Sequence, residues 1–238
     1  MPSRPQRPPV FISAPIAALV EGLYREDTTI GTLRAHGDFG LGTFNDLDGE
    51  MVIVDGIVYR LPPDGPATIV GDDVQTPFAI VTRFEGDAEE HLDRSLDADA
   101  FEAVLADLLP SRNLVYAIRI DGRFRRVRAR SVPKQANYRP LAEIARVQTV
   151  FEFDDVEGTI VGFWTPSFLE SVHVPGFHLH FITADRSRGG HVLAAEPSGV
   201  LVRQQHVPKV ELGLPITLDF LTMDRTRDLA ADIAAVER

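Results

Sequence analysis

Residues 176–191, "GFHLHFITADRSRGGH", set His178 and His180 two apart in an apolar run and add a third imidazole, His191, after a glycine pair. Alternate residues of a β-strand project to one face. His178, His180 and Ile182 therefore share one side, and Phe177, Leu179 and Phe181 the other. A turn through "ADRSRGG" returns His191 opposite the pair. Three neutral imidazoles meeting at one point are ligands for zinc, iron, nickel or copper. The plainer alternative is a set of ordinary strand histidines that hydrogen-bond or face water. Cysteine is absent, which excludes a thiolate nucleophile, a disulfide framework and cysteine-held metals. Carboxylates remain as further donors. Glu50 follows a glycine at the start of an apolar strand, where a hairpin entry would equally place it. Glu237 ends the chain's last helical stretch, where a solvated charge is the simple account. Arg128 and Arg130 share strand parity, and either could aim a guanidinium fork at a substrate carboxylate.

The elements that must position these groups are mostly strands. The pattern is α+β: two closely joined mixed or antiparallel sheet regions, a few flanking helices and a C-terminal tail helix. Helices do not alternate with strands, so a doubly wound sheet is excluded. Residues 1–10 read as a disordered N-terminus, 11–148 as an N-terminal β-rich region and 149–238 as a C-terminal region carrying the histidines and the tail. Helices are expected over 15–25, 97–110 and 225–238. "EMVIVDGIVYRL" reads as a hairpin turned at Asp55-Gly56. A second hairpin is expected across Asp121-Gly122, and a turn at Pro197-Ser198-Gly199. The acidic stretch 85–98 reads as a surface loop, and 28–49 as short β-prone runs punctuated by glycine.

The chain has 238 residues and a formal net charge of −11. A fold of this size buries roughly 70% of its extended surface and needs no metal to stay folded, so a bound metal would serve function. The acidic balance opposes nucleic acid and anionic membrane. The basic stretch "GRFRRVRARS" (122–131) reads as a strand with one charged face, or as an anion-binding face. The proline-rich start is too broken for a signal segment, and no stretch approaches the roughly 20 apolar residues of a membrane span. The expectation is a cytoplasmic protein.

Five stretches carry a resemblance: "GTFNDLDGEMVIVDG" (42–56), "TPFA" (76–79), "RSVPKQ" (130–135), "GTIVGFWTP" (158–166) and "VPGFHLHFITADRSRGGHVL" (174–193). In this order, over residues 16–237, the chain resembles the α-acetolactate decarboxylase family. The resemblance implies conversion of (S)-2-hydroxy-2-methyl-3-oxobutanoate to (R)-acetoin and carbon dioxide at a zinc held by His178, His180 and His191. It implies that Glu50, Arg130, Glu237 and Thr43 surround the substrate, and that the protein is a homodimer acting on a small 2-hydroxy-3-oxo acid. This chain departs from the family at Asp46, where a histidine or similar residue is common, and in "QANYRPL" (135–141). Two other readings of the histidines stay open: a cupin-like metal-dependent oxygenase or isomerase, and a non-enzymatic ligand-binding protein.

Overall fold

The computed structural model describes residues 7–144 and 148–223. The helix expected over 225–238, Glu237 and residues 1–6 lie outside them. The elements run β1 (Val10–Ile12), α1 (Ile16–Val20), α2 (Ile30–His36), β2 (Phe39–Thr43), β3 (Glu50–Val54), β4 (Ile57–Leu61), β5 (Thr68–Ile69), β6 (Ala79–Thr82), β7 (Ala88–Leu92), α3 (Ala98–Asp107), β8 (Val115–Ser131), α4 (Leu141–Ile144), β9 (Thr149–Thr165), β10 (Gly176–Thr183), β11 (Gly189–Val207), β12 (Val210–Leu212) and α5 (Leu218–Thr222). The architecture is the expected α+β pair of sheets. The described residues form a seven-stranded sheet, β12-β1-β6-β2-β3-β4-β5, and a five-stranded sheet, β10-β9-β8-β11-β7. An added β10–β11 pairing folds the second sheet back on itself. Strands from both sides of residue 148 enter each sheet.

Three apolar clusters show how the layers stack. The largest joins β1, β2, β4 and β6 of the first sheet (Ile12, Leu41, Leu61, Ile80) to β8, β9 and β10 of the second (Ala117, Phe163, Ile182). The far face of the second sheet packs on α3 through Phe101 and Leu105. The far face of the first sheet packs on α2 through Ile30 and Leu33. The order is therefore helix, sheet, sheet, helix, with the sheets face to face. Strand β10 alternates as its sequence demands: Ile182 joins the cluster between the sheets, and Phe181 joins the cluster under α3.

Local chemistry explains several elements. Asp55 and Gly56 both take left-handed conformations, φ 54° and 75°, as a two-residue hairpin turn requires. Asp97 caps α3 by accepting from the Ala100 N–H at 2.8 Å. Thr29 caps α2, a helix where the sequence suggested only short β-prone runs. Helix α1 stops short of the expected 25 because Gly22 turns left-handed at φ 96°.

Two expected turns are instead the middles of long strands. β8 crosses Asp121-Gly122 without turning, because β9 and β11 pair with it on both sides of that point. β11 crosses Pro197-Ser198-Gly199 by register shifts at Glu196/Pro197 and Pro197/Gly199. Bulges of this kind admit a proline that cannot donate to the ladder. The stretch expected as a loop over 85–98 contains β7, an exposed edge strand paired with β11 from Leu92↔Val200 to Ala88↔Gln204. Its charged side chains suit a strand whose outer edge meets water.

The second sheet is tight where it carries the histidines. A Cβ placed on Gly190 would lie 2.4 Å from the carbonyl oxygen of Arg130. Gly190→Ala must then push β11 away from β8 or β10. We expect a loss of about 1–3 kcal/mol in urea denaturation; an unchanged midpoint would show that the strands yield freely.

Candidate functional site

Three in-register strands deliver one lateral row of side chains. His180 of β10 lies opposite His191 of β11, and His191 lies opposite Arg130 of β8. Cross-strand partners share a face, so all three point toward the first sheet. His178, two residues before His180, completes the group. The three imidazoles offer ligand atoms within 4.8 Å of one another, with ring centroids 5.1–5.3 Å apart. All three are buried, His180 at 1% exposure.

The facing sheet supplies the remaining groups. Glu50 opens β3 and is buried between two of these side chains. Its Oε1 lies 3.4 Å from Arg130 Nη1, and its Oε2 lies 3.7 Å from His180 Nε2. Thr43, opposite Glu50 on β2, donates its hydroxyl to the Gly49 carbonyl at 2.8 Å. That bond closes the turn leading into Glu50. The same turn holds Asp46 and Leu47 at positive φ, 65° and 55°, a conformation that non-glycine residues adopt only when their surroundings enforce it. The cleft is walled by Ile16, Leu19, Leu47, Phe78, Val132 and Leu141. Its polar floor is Thr43, Glu50, Arg130 and the three histidines.

Burial disfavours the charged form of His178 and His180. His178 is pushed down to about 3, first by desolvation and then by the Arg130 charge. His180 is held well below its ordinary value by burial first and His178 second. Neutral rings still need the correct nitrogen free. His180 Nδ1 lies 2.8 Å from the Met51 carbonyl oxygen, which can only accept. Nδ1 therefore carries the proton, and the Nε2 lone pair is left toward Glu50 and the cluster. His178 Nδ1 faces His173 Nε2 at 3.3 Å, which turns its own Nε2 inward. Ligating histidines typically have their second nitrogen tied in this manner. The donor set, three buried imidazoles beside one carboxylate, fits a borderline divalent cation.

The structure thus brings together Thr43, Glu50, Arg130, His178, His180 and His191, while Glu237 lies outside the described residues. Arg128, which shares the parity of Arg130, is exposed. The rest of the basic stretch is taken up by acidic neighbours: Arg123 pairs with Asp155 at 2.7 Å, Arg125 with Glu196 and Arg126 with Glu152. It forms the charged strand face that was one of its two sequence readings.

A profile of the alpha-acetolactate decarboxylase family matches residues 10–226. The chain belongs to the α-acetolactate decarboxylase family. The alpha-acetolactate decarboxylase of Methanosarcina mazei is 43% identical over 224 residues, 94% of this chain and 78% of that one. That of Bacillus licheniformis is 41% identical over 230 residues, 96% and 91% of the two chains. The crystal structure of alpha-acetolactate decarboxylase from Bacillus subtilis strain 168 superposes with a TM-score of 0.93 at 40% identity, covering 96% of this chain and 98% of that one. Within this α-acetolactate decarboxylase family member, Asp46 and the stretch 135–141 touch each other. Asp46 takes a bidentate pair from Arg25 at 2.6 and 3.0 Å and the Tyr138 hydroxyl at 2.8 Å. Its carbonyl accepts from the Gln135 N–H at 2.7 Å. The hydrogen bond to Arg25 holds the Asp46 carboxyl below its usual range.

His173 was missed in the sequence. It is fully buried, and a single histidine five residues before a pair carries no spacing signal of its own.

Burial of the rings fixes the sign of a pH effect. The folded rings of His173, His178 and His180 bind protons less readily than unfolded ones. Below the ordinary histidine value of about 6.5 the unfolded chain takes up protons that the folded chain refuses. The urea midpoint of metal-free protein should fall between pH 6.5 and 5, the three rings outweighing Glu26, whose carboxyl burial pushes up to about 7 and which acts in the opposite sense. A flat profile there would contradict the burial of neutral rings.

Proposed function

We propose that this protein decarboxylates (S)-2-acetolactate to (R)-acetoin and carbon dioxide, with zinc held by His178, His180 and His191. The observation that carries the reading is the convergence of three buried imidazoles beside the Glu50–Arg130 pair, in a member of this family. A zinc ion held by these three rings would supply Lewis-acid stabilisation of the negative charge that develops as carbon dioxide leaves.

The chain's own residues do the rest. Losing the carboxylate breaks its bond to the hydroxyl-bearing carbon, and the electron pair moves toward the neighbouring ketone. The resulting enediolate must gain a proton at the carbon that lost carbon dioxide. Arg130 presents a planar fork to the substrate carboxylate and orients it. Gripping that charge through the transition state would slow the reaction, because the departing molecule is neutral. The tether to Glu50 serves orientation by keeping the guanidinium in place. Glu50, or Glu237 reaching in from the C-terminal segment, delivers the proton to one face of the carbon. Thr43 fixes the turn that aims Glu50. The walls formed by Ile16, Leu19 and Phe78 accept the methyl groups and keep water away. The family resemblance further supports a homodimer working in the cytoplasm without nucleic acid. Sedimentation velocity tests the dimer by reading twice the chain mass.

The decisive experiment is an acetoin assay on synthetic acetolactate before chelation, after it and after zinc is restored. Activity should vanish and return, and His191→Ala should neither retain zinc nor turn over. Full activity in metal-free protein would overturn the reading. Glu50→Gln should hurt catalysis more than folding: kcat should fall by about 10²–10⁴-fold while the protein still folds, at a melting temperature lowered by the loss of the Arg130 ion pair. Unaltered acetoin production would remove Glu50 from proton delivery. Arg130→Lys loses the fork and should raise KM as well as lower kcat; wild-type constants would show that a point charge suffices.

A further inference from the structure

His173 is the one fully buried histidine outside the proposed ligand set. It sits just past the 3-10 turn Ser167–Leu169, in the segment that leads into β10, and its backbone N–H donates to the Leu169 carbonyl at 3.0 Å. The ring stacks on Phe78 at 5.8 Å and meets Phe163 edge-on at 6.2 Å. Both phenylalanines are themselves buried, so the ring has little freedom to turn. Its Nδ1 lies 3.2 Å from the Val174 carbonyl oxygen and 2.8 Å from Thr165 Oγ1. A carbonyl accepts and never donates, so this contact places the proton on Nδ1. That leaves Nε2 as a bare acceptor, 3.3 Å from His178 Nδ1.

We infer that His173 is a positioning residue that locks His178 in its Nδ1–H tautomer and so presents the His178 Nε2 lone pair to the metal. The chain of donors runs one way, from His178 Nδ1–H to His173 Nε2 and from His173 Nδ1–H to Val174 O. The reverse direction would let the Thr165 hydroxyl donate to Nδ1 but would set that bare nitrogen against the Val174 carbonyl, two acceptors 3.2 Å apart. His180 achieves the same end with a backbone carbonyl, that of Met51. His178 uses a second imidazole because it lies nearer the end of β10, beside the loop that carries His173. The inference rests on the zinc reading above.

The test measures zinc affinity by competition with a chromophoric chelator, with circular dichroism and thermal melts on each variant. His173→Phe keeps a flat ring and removes the acceptor; it should weaken zinc by about 10- to 100-fold. His173→Gln restores an acceptor and should recover most of that affinity. Long-range ¹H–¹⁵N correlation spectra of the metal-free wild type should show His178 protonated at Nδ1, a readout that needs no variant to fold. A Phe variant that binds zinc as tightly as wild type, or a His178 ring protonated at Nε2, overturns the role of His173. The two failures are distinguishable. A wild type that takes up no zinc overturns the metal reading and this one with it, whereas a tight-binding wild type beside an unimpaired Phe variant overturns only this one.

Discussion

Three imidazoles taken out of water must be neutral, and each must have its other nitrogen satisfied. That requirement governs much of the molecule. Charging a ring at this depth would cost desolvation, and that burial is the first cause that holds His178 and His180 below their ordinary values. The fold meets the requirement by placing the rings between two sheets and giving two of them specific hydrogen-bond partners. One is a backbone carbonyl of the facing sheet and the other a buried histidine. The long β8–β11 ladder sets Arg130 opposite His191, and a pairing of three residues between β10 and β11 brings His180 into the same row.

The two sheets contribute different chemistry. The second sheet carries the nitrogen donors and the guanidinium; the first carries the carboxylate and the hydroxyl. Glu50 therefore joins the layers through Arg130 and His180. A relative slide of the sheets would separate these groups, and the shared core of Leu41, Leu61, Phe163 and Ile182 resists it. The left-handed residues of the turn before β3 store strain at the same place. Arg25, Tyr138 and the Gln135 N–H hold that turn from outside through Asp46. The cleft is built by opposing constraints, apolar packing from the walls and polar ties at the rim.

Alternation and turn chemistry made part of this visible in the residues alone. The side-by-side His178 and His180, the Asp55-Gly56 hairpin and helix α3 each depend on interactions within a few residues, which a linear string records. The misreadings have one cause. Asp121-Gly122 and Pro197-Ser198-Gly199 carry strong turn signals, yet each lies in a strand with neighbours pairing on both sides of it. Those pairings outweigh the local preference. The acidic β7 shows no apolar stripe because it is an exposed edge, and only its pairing with β11 makes it a strand. Helix α2 was hidden by its glycines.

The sequence by itself determined the donor types, the shared face of His178 and His180, the absence of thiolate chemistry and, through its ordered motifs, the family. These depend on composition and on spacings shorter than a turn. Tertiary structure alone decided that Arg130 stands in register with His191, that Glu50 crosses from the other sheet and that His173 backs His178. The first two join residues far apart along the chain, 80 positions for Glu50 and Arg130, and the third depends on which nitrogen of a ring meets which partner. Neither is a property of neighbouring residues, so both arise only when the sheets have closed on each other.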